Sequence, residues 1–150
     1  MKKLVSFIIL LFAFNAHAQL KEADSLCLAG KFREAKQLYA MMILKSQHPR
    51  VKYKLWERQA FASMQMKDTT NAITELHIAL DNYRSDDGIR QLLFIMKASN
   101  NPRLLDAAIL YEQHALVVNI YLQKNKKASA KNYLVQANVD KNSHLWHIFK

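Results

Sequence analysis

Residues 20–45 read LKEADSLCLAGKFREAKQLYAMMILK, and the spacing of their apolar positions decides the fold. Leu20, Ala23, Leu26 and Cys27 recur at three- and four-residue intervals, which is one face of a helix. Gly30 then stops that helix, because glycine accepts the left-handed conformation that ends one. From Lys31 to Lys45, Phe32, Ala35, Leu38, Tyr39 and Met42 again fall on one face and predict a second helix. The stretch is a helix, a turn and a helix.

The pattern continues along the chain. Ser46-Gln47-His48-Pro49 is a break, since proline disfavours helix at the residue before it. A third helix is predicted from Val51 to Met66, carrying Leu55, Trp56, Ala60 and Ser63. Asp68-Thr69 caps a fourth, which runs to Tyr83 with Ala72, Ile73, Leu76, Ala79 and Leu80. Ser85-Asp86-Asp87 opens a fifth helix from Gly88 to Ala98. Asn100-Asn101-Pro102 caps a long helix reaching Gln123. A last helix spans Lys126 to Asn138, and the tail from Asp140 to Lys150 reads as a short terminal helix through Leu145, Trp146 and Phe149.

Composition agrees with an all-α chain. Of 150 residues, 51% are hydrophobic, which supports a core, while only two are glycine and two are proline. Sandwiches, small barrels and doubly wound sheets need far more turn residues. A glycine-rich phosphate loop is excluded for the same reason. A single cysteine rules out an internal disulfide framework and a cysteine zinc knuckle.

The helix pairs repeat. Ala35 and Ala72 are 37 residues apart, and Ala72 and Ala107 are 35 apart. In the first pair Ala23, Gly30, Phe32, Ala35 and Tyr39 keep a fixed register; in the second, Trp56, Ala60, Ala72 and Ala79 do. This register resembles the tetratricopeptide repeat, a 34-residue helix-turn-helix unit in which small residues sit where two helices cross closely. Residues 19–83 carry the resemblance well and 84–138 loosely. Lys67 stands where the second turn would have glycine, and Thr69 where it would have an aromatic. Ala107 and Tyr111 fit a third unit, but Ile95 and His114 occupy positions meant for small residues. A competing register at Ala130, Leu134 and Ala137 claims part of the same stretch. The resemblance implies a helical-hairpin array of two to three units over 19–138, followed by the tail at 139–150. It further implies a concave groove that holds a peptide or protein partner. Carried over by register, the groove falls on Glu57, Phe61, Met64 and Gln65, with Lys54 and Arg58 on neighbouring turns. The family's carboxylate-gripping variant is not matched, since only Lys54, Arg58 and Asn119 could serve it. Three units is near the minimum for a stable array, which leaves room for homo-oligomerisation or a longer parent chain.

The N-terminus predicts export. Lys2 and Lys3 precede an apolar run from Leu4 to Phe14, too short for a permanent membrane helix. Ala16-His17-Ala18 then offers a small-x-small site, so 1–18 reads as a signal peptide cleaved after Ala18. Cys27 lies too far downstream to serve as a lipoprotein cysteine. The destination is a periplasm or cell surface.

No catalytic constellation appears, so the chain is read as non-enzymatic, with no cofactor and no metal. His77 and His114 stand alone on helical faces. His144 and His147 would share a face with only Asp140 near them, which falls short of a metal site. Cys27 reads as a small hydrophobe, with an intermolecular disulfide as the alternative. Asp86 and Asp87 read as helix-capping acids, and Met41, Met42, Met64, Met66 and Met96 as core filler, with an adaptable binding groove as the alternative.

The net charge is +10 over the whole chain and +8 once 1–18 are removed. Two clusters hold it: residues 45–58, and 124–150 with Lys124, Lys126, Lys127 and Lys131. Read structurally, these are a solvated face. Read functionally, they form a patch for an anionic membrane or envelope glycan. Nucleic acid is not expected as a partner outside the cytoplasm. The sequence therefore predicts an exported interaction module, with binding to an anionic surface as the alternative.

Overall fold

The computed structural model describes residues 17–149, and every regular element among them is helical. The signal peptide expected at 1–18 lies outside the described residues, apart from His17 and Ala18. The described backbone groups into two compact units, divided between Ile95 and Met96.

In the first unit, helix α1 covers residues 17–28, α2 is Phe32–Lys45, α3 is Pro49–Gln65 and α4 is Thr69–Asn82. Helix α5, Asp86–Ala98, ends just past the division between the units. Pro49 does not precede α3 but takes its first helical turn, where a missing N–H costs nothing. Ala23 and Ala35 are fully buried and pack with Tyr39, Ile43 and Leu55 in one cluster. Half-buried Leu20, Leu26, Cys27, Leu38, Met42 and Trp56 surround it. Helix α3 packs on both α2 and α4. Its buried Ala60, Ala62 and Ser63, with Ala72 and Ala79 on α4, keep those helices close, as small residues allow.

The capping chemistry explains the boundaries. Asp68 accepts the Asn71 N–H at 3.1 Å and starts α4. Ser85, rather than Asp86 or Asp87, caps α5: its hydroxyl accepts the Gly88 N–H at 3.4 Å. The two aspartates lie in the first turn, where their charge suits the helix dipole. Gly88 is a packing glycine, since a Cβ there would lie 2.7 Å from the Tyr53 hydroxyl oxygen.

A buried polar network ties α2, α3 and α4 together. Lys36 Nζ lies 2.7 Å from Glu75 Oε1 and donates to Ser63 Oγ at 2.6 Å, while the Ser63 hydroxyl donates to Glu75 Oε2 at 2.7 Å. Each group satisfies the others, which is what makes such burial tolerable.

The second unit contains α6, Leu104–Leu110; α7, His114–Gln123; α8, Lys127–Gln136; and a 3₁₀ helix, His144–Phe149. The continuous helix expected from Pro102 to Gln123 does not form. Pro102 belongs to a turn in which the Asn101 side chain accepts the Arg103 N–H at 2.9 Å, and α6 starts at Leu104. The helix then breaks at Tyr111-Glu112-Gln113, where Glu112 adopts φ +57°. The break is stabilised by two crossed bonds, Glu112 N–H to Ile109 O at 3.0 Å and Gln113 N–H to Ala108 O at 2.8 Å. That is the Schellman arrangement. It ends the helix without glycine, asparagine or proline at the turn. Val118, Ala130, Leu134 and Leu145 form this unit's cluster, and Trp146 Nε1 donates to Val139 O at 3.2 Å to hold the 3₁₀ helix against it.

The same turn recurs through the chain. Gly30, Lys67, Asn100, Glu112, Asn125 and Asn138 all have φ between +50° and +75°. Each is followed by an N–H that reaches back five residues to a carbonyl, at 2.8–3.1 Å. From Glu112 to Asn125 and from Asn125 to Asn138 the interval is 13 residues. The second unit is thus a run of short helices joined by one kind of turn, which explains why two alanine registers compete there.

Candidate functional site

Lys54, Glu57, Arg58, Phe61, Met64 and Gln65 recur along α3 at helical spacing and so face one way. All six line a single cleft of about 980 Å³ in the first unit. Helix α1 contributes Asp24, Cys27 and Leu28 to it, and α5 contributes Gln91, Phe94 and Ile95. The cleft's apolar surface is open. Phe61 is 55% exposed, Phe94 73% and Leu28 90%.

Its charged groups are matched in pairs. Arg58 Nε donates to Asp24 Oδ1 at 2.9 Å, and the same carboxylate oxygen accepts the Tyr39 hydroxyl at 2.6 Å. Lys54 Nζ donates to Glu57 Oε2 at 2.8 Å, and Tyr53 donates to the other Glu57 oxygen at 3.1 Å. The Glu57 bond holds the Lys54 ammonium above its usual range. Burial, with the bond to Asp24, pushes the Tyr39 phenol far up, so it stays a donor. Burial also raises the Cys27 thiol, with the Asp24 charge adding to it. A thiol protonated in this way is a poor nucleophile. What the cleft offers is apolar area with a polar rim that is electrically balanced, two cations against two anions.

The sequence register located the α3 face but not its flanks. The available signal was an apolar residue off its helix's own stripe. Leu28 lies outside the Leu20, Ala23, Leu26 and Cys27 face, and Phe94 outside the buried face of Ile89, Leu92 and Leu93.

Lys124, Lys126, Lys127 and Lys131 are all exposed around the left-handed turn at Asn125 and the first turns of α8. Lys127 Nζ sits 6.0 Å from the Phe149 ring centre. Of the residues read as isolated, His77 is half-buried, and that burial pushes its imidazole below the usual range. His114 is not alone. Its Nδ1 lies 2.7 Å from the Tyr133 hydroxyl. His144 and His147 are both exposed in the 3₁₀ helix. Met96 is buried in the core as expected, whereas Met41 is exposed and Met64 lines the cleft.

No protein-family model matches the sequence, and no characterised protein matches it. The site must therefore be read from its own geometry. Among the described residues no three His, Cys, Asp or Glu side chains converge as a metal site, and no helix is long and apolar enough to cross a membrane. Ser63, Lys36 and Glu75 have the elements of a nucleophile and a base, but Ser63 is wholly buried. The three groups bond one another across α2, α3 and α4.

Proposed function

We propose that this protein is an exported, non-enzymatic interaction module of tetratricopeptide-like build. Its partner is a peptide or protein segment that docks in the cleft along α3. The observation that carries this reading is the combination of exposed Phe61, Phe94 and Leu28 with a rim whose charges are already paired. Large exposed apolar groups gathered in one concavity mark interaction surfaces. An incoming charge would have to displace Asp24 from Arg58 or Glu57 from Lys54. The docking face of the partner is therefore apolar and uncharged, a face that an amphipathic helix supplies.

The test uses positions whose replacement leaves the core untouched. A photo-crosslinking residue at position 61, introduced in the native host, yields a discrete protein adduct, whereas one at position 131 does not. The F61S/F94S double variant loses capture of that partner, with helicity by circular dichroism unchanged. Capture that persists at wild-type level in F61S/F94S overturns the cleft assignment.

The four exposed lysines around Asn125 favour a second reading, in which the chain associates with an anionic membrane or envelope glycan. Binding to vesicles rich in anionic lipid would then fall steeply between low and physiological salt. No binding at either salt ends that reading. Docking through the cleft, by contrast, is nearly indifferent to salt.

A further inference from the structure

The second unit contains a concavity of different character. It encloses about 600 Å³, within the range of small-molecule sites, and its lining includes Glu112, His114, Tyr121, Asn132, Tyr133 and Gln136. Asn132 and Gln136 are exposed and one turn apart on α8, so their amides lie on the same face. Tyr133 and His114 are half-buried, with ring centres 5.8 Å apart and a hydrogen bond holding the phenol in place. Tyr121, also half-buried, belongs to the same lining from α7.

Two features show what this concavity selects. The first is charge. The unit is rich in lysine, yet the lining contains neither lysine nor arginine and a single carboxylate, that of Glu112. A phosphate, sulfate or carboxylate would meet no lysine or arginine there. The second is the turn. At the three sister turns of this unit the left-handed residue is asparagine (Asn100, Asn125 and Asn138), the side chain best suited to that conformation after glycine. At Glu112 the chain accepts a costlier residue and thereby places a carboxylate at the concavity.

We infer that this concavity binds a neutral, hydroxyl-rich ring compound of mono- or disaccharide size. Such a ligand has an apolar C–H face that lies against tyrosine rings. Its hydroxyl groups both donate and accept, which matches two amides, a phenol and one carboxylate. Burial, together with the Glu112 charge, raises the Tyr133 phenol, so it remains protonated, and His114 Nδ1 takes one of its hydrogen-bonding positions while leaving another for the ligand.

The experiment is saturation-transfer NMR and titration calorimetry on the full chain. The probes are neutral hexoses, N-acetylhexosamines and their disaccharides, with a uronic acid and a sugar phosphate of the same ring size. Neutral sugars bind, and the N132A/Q136A variant weakens them about tenfold or more, as expected for two lost hydrogen-bonding groups. Both positions are exposed on a helix where alanine is well tolerated, so the variant keeps its fold. Absence of binding by every neutral sugar overturns the inference. So does undiminished binding in N132A/Q136A, or tighter binding of the uronic acid or phosphate.

Discussion

Lys67 and Glu112 hold φ values of +62° and +57°, at turns built like the one where Gly30 holds +75°. A side chain with a Cβ is strained in that region by about 1 kcal/mol or more, whereas glycine is not. The two positions separate conformational ease from function. K67G is expected to stabilise the protein by about 1 kcal/mol, a rise of about 2–4 °C in the melting temperature. E112G gains similarly but, on the sugar-site reading, gives up ligand binding. Thermal melts of both variants, with calorimetry on the second, check this; a K67G melt at or below wild type would show that the lysine side chain offsets the strain. Gly88 is the opposite case, a glycine kept for space rather than for backbone freedom, because the Tyr53 hydroxyl occupies the place of its Cβ.

Helices α2, α3 and α4 are joined by Lys36, Ser63 and Glu75, whose ionic pair has side-chain exposures of only 20% and 10%. Removing one partner strands the other charge in a poorly solvated place. K36M or E75L alone should therefore cost about 3 kcal/mol, while the double replacement costs much less than the sum. Urea unfolding of the four-member cycle measures it, and additive losses would contradict the coupling. This network also shows where sequence reading stops. Gly30 and Asp68 announced their turns because their chemistry is local, and the α3 face was legible because 54, 57, 58, 61, 64 and 65 share one helix. Lys36 and Glu75 come from helices separated by the whole of α3, and no local pattern ties them. The pairing of His114 with Tyr133, 19 residues apart, has no local pattern for the same reason. The break at Glu112 is hidden because neither it nor its neighbours is a glycine, asparagine or proline, so no local residue type marks the left-handed turn.

For the molecule as a whole, the export reading and the folded core are compatible. Cleavage after Ala18 would remove only residues 17 and 18 from the described part of α1, and Ala23, the first fully buried residue among those described, lies beyond the cut. The protein recovered from a periplasmic extract of the native host is accordingly expected to begin at Gln19, which N-terminal sequencing or intact mass would show. Recovery only from the cytoplasm, starting at Met1, would refute export. The 13-residue spacing of the second unit has a consequence of another kind. Helices α6, α7 and α8 have 7, 10 and 10 residues, and none has a side-chain cap at its N-terminus. Isolated helices need about 12–15 residues to persist in water, so none of the three survives without its neighbours. They form and melt together, and anything that grips one of them stabilises all three by mass action. A ligand held between the Glu112 turn and α8 would thus act as a thermostat for the entire C-terminal unit.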